Sequence, residues 1–358
     1  MIYLDYQATT PLAPEAREAM VRWLGGPDSD HFGNPHSPHR MGRMAAAAVE
    51  VAREQVAGLF PPGGRVIFTS GATEAINLAI GGGRYGPVAC STIEHAAVRD
   101  SIRWFGDGHD LPVGPDGLID HDVPIAADTR LVAVMQVNNE IGTIQPVEAI
   151  ARRTRAHGAW LLCDAVQGAG KLLPPASADL IAVSAHKLHG PKGIGALWVR
   201  DGIELSPITH GGGQEQGLRS GTLSPALCAG FGAAAQIAFE RRAEDTAHVE
   251  ALWARARELF AGWTLNGSAE HRWHGNLNIR RDGLDVARLM SDCRNVMFSA
   301  GSACASGSGR PSHVLKAIGL TDRQAKSSIR LGFGRYTTID QIEQAGAQIN
   351  AAAREQGV

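Results

Sequence analysis

Short apolar runs alternate with helical stretches through the first two-thirds of the chain. We predict strands at residues 65–69, 87–91, 131–137, 160–163 and 180–184, and helices at residues 43–59, 72–80, 95–105 and 147–157. This alternation is typical of an α/β fold, in which helices cover both faces of a mostly parallel sheet. Residues at the carboxyl ends of such strands are delivered to the crevice where ligands bind.

The last third of the chain predicts a smaller α+β unit. A helical stretch from Pro225 is expected to reach about Trp263, and predicted strands at 276–280, 296–298 and 328–333 with helices at 285–293 and 339–354 follow it. A chain of 358 residues exceeds the usual size of one domain. We predict a large domain at residues 12–250 and a small domain formed by residues 1–11 and 251–358.

Composition and charge exclude several classes of protein. The net charge is −2, and basic residues occur as isolated pairs, which argues against nucleic acid as a partner. No apolar stretch is long enough to span a bilayer, and the first ten residues do not resemble a signal peptide. Five irregularly spaced cysteines indicate neither a disulfide framework nor a metal site. We expect a cytoplasmic protein with a small-molecule substrate.

Lys187 is the residue whose position in the sequence points most specifically to one kind of chemistry. It follows the apolar run 179–183 within Ser184-Ala-His-Lys187 and precedes a glycine-rich turn. A lysine at the end of a buried strand can form a Schiff base with pyridoxal phosphate. Most lysines are solvated surface residues, and Lys192 in the same turn is the comparison for that alternative.

Two further strand ends supply groups that a pyridine ring requires. Asp164 ends the run 160–164 and can keep the ring nitrogen protonated, and Gln167 can donate to the phenolic oxygen. His95 follows another strand and can stack on the ring. The alternatives are that Asp164 caps a helix and that His95 is a structural residue.

A phosphate group requires amides at a helix start. The segment Phe68-Thr-Ser-Gly-Ala-Thr-Glu-Ala-Ile-Asn77 predicts a strand, a Ser-Gly turn and a helix, so that Thr73 and adjacent amides such as that of Ala72 can bind phosphate. A well-capped turn without a ligand is the alternative.

Cys304 and Arg330 point to the substrate. Cys304 lies among small residues in a loop, which favours a reactive thiol over an incidental one. Arg330 interrupts an apolar strand, where a buried charge requires a partner. That partner can be a substrate carboxylate or an internal acidic residue.

The chain resembles the cysteine desulfurases, which are class V aminotransferase-like enzymes of pyridoxal phosphate fold type I. The resemblance extends from Tyr3 to Thr338, whereas residues 268–275 carry no motif of the family. Its landmarks are Gly33-Asn-Pro-His-Ser37, Thr69-Ser-Gly-Ala-Thr-Glu74, Glu94-His95, Val137-Asn-Asn-Glu-Ile-Gly142, Asp164-Ala-Val-Gln167, the Lys187 segment, Arg219-Ser-Gly-Thr222 and Gly301-Ser-Ala-Cys304.

The resemblance implies a seven-stranded, mostly parallel sheet and a role for each matching residue. Lys187 would form the Schiff base, Asp164 would pair with the ring nitrogen, Gln167 would donate to the phenolate, and His95 would stack on the ring as a possible proton donor. Other implied cofactor contacts are Ala72, Thr73, Ser184 and His186, Asn139 beside the ring, and Thr222 from the second subunit of a homodimer.

The implied reaction converts L-cysteine to L-alanine through a ketimine of the cofactor. Asn34, Asn139 and Arg330 would bind the substrate, and Cys304 would attack its sulfur and carry a persulfide to a sulfur-acceptor protein, such as an iron-sulfur scaffold. Other reactions on the same fold stay open: selenocysteine lyase, cysteine sulfinate desulfinase or aminotransferase. A non-catalytic scaffold that keeps the fold is a further alternative.

Overall fold

The computed structural model describes residues 1–83, 86–120, 123–301 and 311–358. The strands in these ranges are β1 Ile2–Tyr3, β2 Gly64–Thr69, β3 Val88–Ser91, β4 Gly108–Leu111, β5 Leu131–Met135, β6 Trp160–Asp164, β7 Leu180–Ser184, β8 Gly195–Arg200, β9 Thr264–Leu265, β10 Asn276–Arg280, β11 Val296–Met297, β12 Ser299–Ala300 and β13 Ser328–Gly332. The helices are α1 Pro14–Arg22, α2 Arg40–Ala57, α3 Ala72–Gly81, α4 Ala96–Phe105, α5 Val147–Ala156, α6 Pro225–Glu240, α7 Arg242–Leu259, α8 Val286–Asp292, α9 His313–Ala317, α10 Asp322–Lys326 and α11 Ile339–Glu355. No helix in these ranges is both long and apolar enough to cross a bilayer.

A seven-stranded sheet forms the centre of the molecule. Its strand order is β2-β8-β7-β6-β5-β3-β4, and all neighbours are parallel except the two pairs that β8 makes. Alternate residues of one strand enter different cores: Val132 and Val134 pack on one face, and Leu131 and Ala133 pack on the other. This two-sided burial explains why the parallel strands read as continuous apolar runs. The α/β fold with a mostly parallel seven-stranded sheet is therefore confirmed.

The second part of the chain builds a separate core around a four-stranded sheet of order β12-β13-β10-β9. Strand β1 pairs in parallel with β11, so that the amino terminus joins this core through Ile2 and Leu4. The helix expected from Pro225 to about Trp263 is instead two helices, because α6 ends at Glu240 and α7 begins at Arg242. The division between residues 250 and 251 falls within α7 and stays a prediction.

Five strands of the described residues were not predicted from the sequence, for identifiable reasons. Strand β4 has three exposed residues of its four, so that it shows no apolar run. Strand β8 is antiparallel to β7 and begins at Gly195, the last residue of the glycine-rich segment that we interpreted as a turn. Strands β1, β9 and β12 have only two residues each.

Candidate active site

A cavity of about 520 Å³ opens where β5, β6 and β7 end and α3 begins. This is the position that open α/β sheets reserve for ligands. The structure brings ten of the predicted residues to its wall: Ala72, Thr73, His95, Asn139, Asp164, Gln167, Ser184, His186, Lys187 and Arg330. The described wall does not include Asn34 or Thr222, which are both exposed, and Cys304 lies outside the described residues.

Lys187 is held by the amino-terminal segment of the chain. It ends a single 3-10 turn directly after β7, and its Nζ donates to the carbonyl oxygens of Gln7 at 2.5 Å and of Ala8 at 2.8 Å. Lys192, our comparison for a surface lysine, is exposed and nevertheless lines the same cavity. Two amines therefore border the cavity, and only the side chain of Lys187 is fixed by backbone carbonyls shown in the structure.

One end of the cavity is suited to an anion. The amides of the first turn of helix α3, including those of Ala72 and Thr73, lack intrahelical acceptors, and no side chain of the described residues caps this helix. His186 places Nδ1 3.1 Å from Thr9 Oγ1. Burial, followed by the charges of Lys187 and Lys192, lowers the pKa of His186 to about 4. The histidine is therefore neutral at pH 7, and the surrounding charge is positive.

The turn before α3 is held at this position by close packing of the backbone. A Cβ atom on Gly195, the first residue of β8, would lie 2.7 Å from the Cα of Gly71 and 2.5 Å from the carbonyl oxygen of Val183. Contacts this short do not occur between real atoms, so the approach requires glycine. Strand β8 thus fixes the position of the helix start that faces the cavity.

Asp164 is a buried carboxylate in the wall of the cavity. Its Oδ1 accepts a hydrogen bond from Val166 N at 3.0 Å, and a series of turns, not a helix, follows it. The helix-cap alternative is therefore wrong. Burial raises the pKa of Asp164, although the Val166 amide and the charges of His95 and Lys187 oppose this rise. No cationic side chain of the described residues lies within 4 Å of the carboxylate, so that a ligand with a protonated nitrogen would complement it.

His95 and Gln167 have structural contacts as well as a position in the cavity wall. His95 caps α4, because its Nδ1 accepts a hydrogen bond from Ala97 N at 3.1 Å, so the structural alternative holds alongside the predicted ligand contact. Gln167 Nε2 donates to Gln7 O at 3.0 Å. Its Oε1 is buried without a partner among the described residues. Donation to a ring oxygen would therefore use the second N–H of this amide.

Arg330 forms an ion pair with an internal acidic residue, Asp5, which is one of the two partners considered from the sequence. Its side chain is only 1% exposed, its Nη2 lies 2.7 Å from Asp5 Oδ1, and its Nη1 donates to Asn139 O at 2.9 Å. The Nε atom is buried without an acceptor in the described part of the chain. Arg330 also lines the cavity. Contact with a substrate carboxylate stays a prediction, and it must share the guanidinium with Asp5.

Sequence analysis missed a second buried carboxyl group beside the site. Glu94 is fully buried, and its Oε1 accepts hydrogen bonds from Ser91 Oγ at 2.5 Å and Met135 N at 2.9 Å. Burial, partly opposed by these two hydrogen bonds, raises the pKa of Glu94 to about 8. The group is therefore mostly protonated at pH 7. The pair Glu94-His95 marked the position as a landmark, but no local pattern distinguishes a buried glutamate from a solvated one.

The segment 268–275, which carries no recognised motif, supports the cavity wall through hydrogen bonds of Arg272. Arg272 is buried and donates to four carbonyl oxygens, those of Asn266, Ser268, Ile141 and Asn276. Asn276 in turn donates to the carbonyl oxygen of Asn139, a residue of the cavity wall. Arg272 and Asn276 therefore connect the small core to the turn after β5 that carries Asn139.

The sequence matches the model of the family described as aminotransferase class-V over residues 2–345. The chain belongs to this family. Among curated class-V proteins, it is 42% identical over 377 residues to the cysteine desulfurase IscS of Colwellia psychrerythraea, with 98% of this chain and 92% of that protein covered.

Solved structures give the same assignment of the fold. The chain superposes on a NifS-like protein from Rickettsia africae with a TM-score of 0.90 at 27% identity, covering 98% of this chain and 99% of that one. It superposes on SspA, solved in complex with cysteine, with a TM-score of 0.80 at 33% identity, covering 94% and 100%. These proteins share the pyridoxal phosphate fold type I of the class-V family.

Proposed function

We propose that this protein is a pyridoxal phosphate-dependent cysteine desulfurase, which converts L-cysteine to L-alanine and transfers the sulfur to Cys304. One observation carries the proposal: a single cavity contains Lys187, the buried carboxylate of Asp164 and the uncapped start of α3. The names of the relatives and the bound cysteine of SspA support this choice of reaction among those of the class-V family.

The cavity fits the cofactor at three points. The amides that begin α3, with the hydroxyl groups of Thr73 and Ser184 and the positive charge of Lys192, would hold the phosphate. Asp164 would pair with the protonated ring nitrogen. Gln167 would meet the ring oxygen with its second N–H.

Bound pyridoxal phosphate would withdraw electrons from the Cα atom of the attached amino acid, so that the Cα proton can leave and the Cβ–S bond can then break. Lys187 would anchor the cofactor, and its Nζ would then accept the Cα proton of the substrate. The carbonyl oxygens of Gln7 and Ala8 hold this amine at the base of the cavity. His95, which α4 fixes at the cavity wall, would pack against the ring and return a proton.

Cys304 would complete the reaction as a thiolate. Its sulfur forms an S–S bond with the substrate sulfur, the Cβ–S bond breaks, and the electron pair of that bond stays on the carbon that becomes the methyl group of alanine after protonation. An acceptor protein or thiol then attacks the outer sulfur of the persulfide. An aminotransferase has no need of a thiol at this step, so Cys304 separates the two reactions.

Two pairs of variants test the assignment. We expect Cys304→Ser to abolish release of alanine and sulfide from L-cysteine in the presence of a reductant, while the absorbance of the bound cofactor is retained. Cys293→Ala removes a buried thiol of the small core and is the matched control, which should keep the activity. Activity of Cys304→Ser equal to that of the unmodified enzyme would overturn the role of the thiol.

The lysine pair tests the cofactor. Borohydride should reduce the yellow chromophore and fix the cofactor covalently to the unmodified protein and to Lys192→Ala, but not to Lys187→Ala. A peptide map that places the label on Lys192 would contradict the assignment. A protein that stays colourless after incubation with pyridoxal phosphate would favour the scaffold alternative.

A homodimer is part of the proposal and is supported by an apolar groove of about 510 Å³ between α1, α2 and α6. Trp23, Met44 and Val51 line this groove, and the exposed side chain of Phe32 lies in the segment between α1 and α2. In a dimer, the exposed Thr222 of one subunit would reach the cavity of the other. Sedimentation of Val51→Asp should show a monomer with weakened cofactor binding, and an unchanged dimer would contradict this interface.

A further inference from the structure

A second, smaller cavity lies directly behind the cofactor cavity. Its volume is about 40 Å³, which exceeds the space required by one water molecule. Gln7 lines both cavities and separates them. Residues of both cores meet here, with Lys171 and His189 from the side of the large sheet and Arg335 from the segment after β13.

Cationic groups outnumber anionic groups around this cavity. Lys171, Arg242 and Arg335 line it, and Asp245 is the only carboxylate among the described lining residues. Asp245 is already engaged, because its Oδ2 accepts from Arg335 Nε at 2.8 Å and from Arg335 Nη2 at 2.6 Å. In the described part of the chain, neither Lys171 nor Arg242 has a carboxylate within 4 Å.

One buried donor of Arg335 lacks an acceptor at this position, and Lys171 uses only part of its hydrogen-bonding capacity. Arg335 has a side chain that is 4% exposed, and its Nη1 is buried without a partner among the described residues. Lys171 Nζ donates to Gln167 O at 3.0 Å, which uses one of its three N–H groups. Burial, followed by the charge of Lys187, lowers the pKa of Lys171 to about 7. Buried donors and excess positive charge are costly unless an anion or water satisfies them.

We propose that this cavity binds one small monovalent inorganic anion, chloride in ordinary buffers, between Lys171, Arg242 and Arg335. The volume admits a halide and excludes organic anions such as gluconate. The anion supplies the acceptor that these donors lack, and it ties the segment after β13 to the turn that carries Gln167 and Lys171. Because it binds only to the folded protein, it raises the stability of that state.

Crystals of the holoenzyme soaked in sodium bromide give the direct test. We expect an anomalous peak in the cavity, in contact with Lys171 or Arg335. Solution measurements complement it: the thermal midpoint of the holoenzyme is recorded while chloride replaces gluconate at constant ionic strength. The midpoint should rise by roughly 2 °C at ten times the dissociation constant, and it should continue to rise with the logarithm of the chloride concentration.

Two variants assign the effect to the cavity. Lys171→Met and Arg242→Met each remove one cation without breaking an ion pair of the described residues, and each should reduce the chloride-dependent rise in the midpoint at least threefold. Lys326→Met removes the same charge from an exposed position on α10 and should keep the full rise. Soaked crystals whose cavity shows water and no bromide would overturn the proposal. An equal rise in the thermal midpoint of the unmodified protein and all three variants would also overturn it.

Discussion

Neutralising Asp5 separates the structural role of Arg330 from its predicted role in substrate binding. Asp5 is about one-fifth exposed, and its Oδ1 lies 2.7 Å from Arg330 Nη2, whose side chain is 1% exposed. In Asp5→Asn, the amide oxygen still accepts a hydrogen bond, but the buried arginine loses its only carboxylate partner in the described structure. The change should therefore lower stability and leave more of the guanidinium charge available to the substrate.

The two effects have different magnitudes. Two unit charges about 4 Å apart attract each other by about 4 kcal/mol at an effective dielectric constant of 20. In Asp5→Asn, the hydrogen bond is retained and the charge of Asp5 no longer has to be desolvated, so that the expected loss of stability is about 2 kcal/mol. The substrate carboxylate no longer competes with Asp5 for the guanidinium. A gain of about 1 kcal/mol in affinity would lower KM for L-cysteine roughly fivefold.

The control is a second ion pair of almost the same burial. The side chains of Arg335 and Asp245 are 4% and 21% exposed, and Arg335 Nη2 lies 2.6 Å from Asp245 Oδ2. Neither residue lines the cofactor cavity among the described residues. Asp245→Asn should lower stability by a similar amount and leave KM unchanged. Urea unfolding and initial rates of alanine release, both on holoenzyme, measure the two quantities. A KM in Asp5→Asn that is unchanged or raised refutes substrate binding by Arg330, and an unchanged unfolding midpoint refutes the stabilising role of the ion pair.

Two further predictions concern buried groups near the site. Burial, followed by the charge of Arg335, lowers the pKa of His189 to about 4 from an ordinary value of about 6.5. Since the unfolded chain therefore binds a proton that the folded chain does not, stability should fall as pH decreases from about 6.5 to 4, by on the order of 3 kcal/mol for this group. His189→Asn, which tolerates the positive φ of 68°, should flatten that slope in unfolding experiments, and an unchanged slope would contradict the assignment. Gly195→Ala should force the Gly71 turn away from β8 and weaken cofactor affinity by about tenfold in a spectroscopic titration, since overpacking typically costs 1–3 kcal/mol. Gly262→Ala, where a Cβ meets nothing within 4 Å, should bind the cofactor normally, and equal affinity of the two variants would refute the packing argument.

The strand ends of the large sheet were predictable because their chemistry is local. Lys187 and Asp164 each follow an apolar run, and parallel pairing brings such ends to one edge of the sheet whatever the intervening helices contain. The turn before α3 was predictable for the same reason, since strand, glycine and helix start are adjacent in sequence.

The partners of these residues were not predictable, because they come from distant segments. Gln7 and Ala8 accept from Lys187 across a separation of about 180 residues, and Asp5 pairs with Arg330 across 325 residues. The sequence offered two acceptable partners for Arg330, and the tertiary pairing of β13 with the amino terminus supplies the internal one, Asp5. Arg272 likewise has no local sign of its four carbonyl acceptors.

The amino-terminal segment therefore has a larger role in the site than its short strand indicates. Residues 5–8 contribute the carboxylate for Arg330 and the carbonyl oxygens for Lys187 and Gln167. Strand β1 fixes these residues to the small core, whereas Lys187 and Gln167 belong to the large sheet. Arg330 lies in β13 of the same small core, so a shift of that core relative to the sheet would move Asp5 and Arg330 together and change the contacts of Gln7 and Ala8 with Lys187 and Gln167. Coupling between substrate binding at Arg330 and the environment of the Lys187 amine follows from this arrangement.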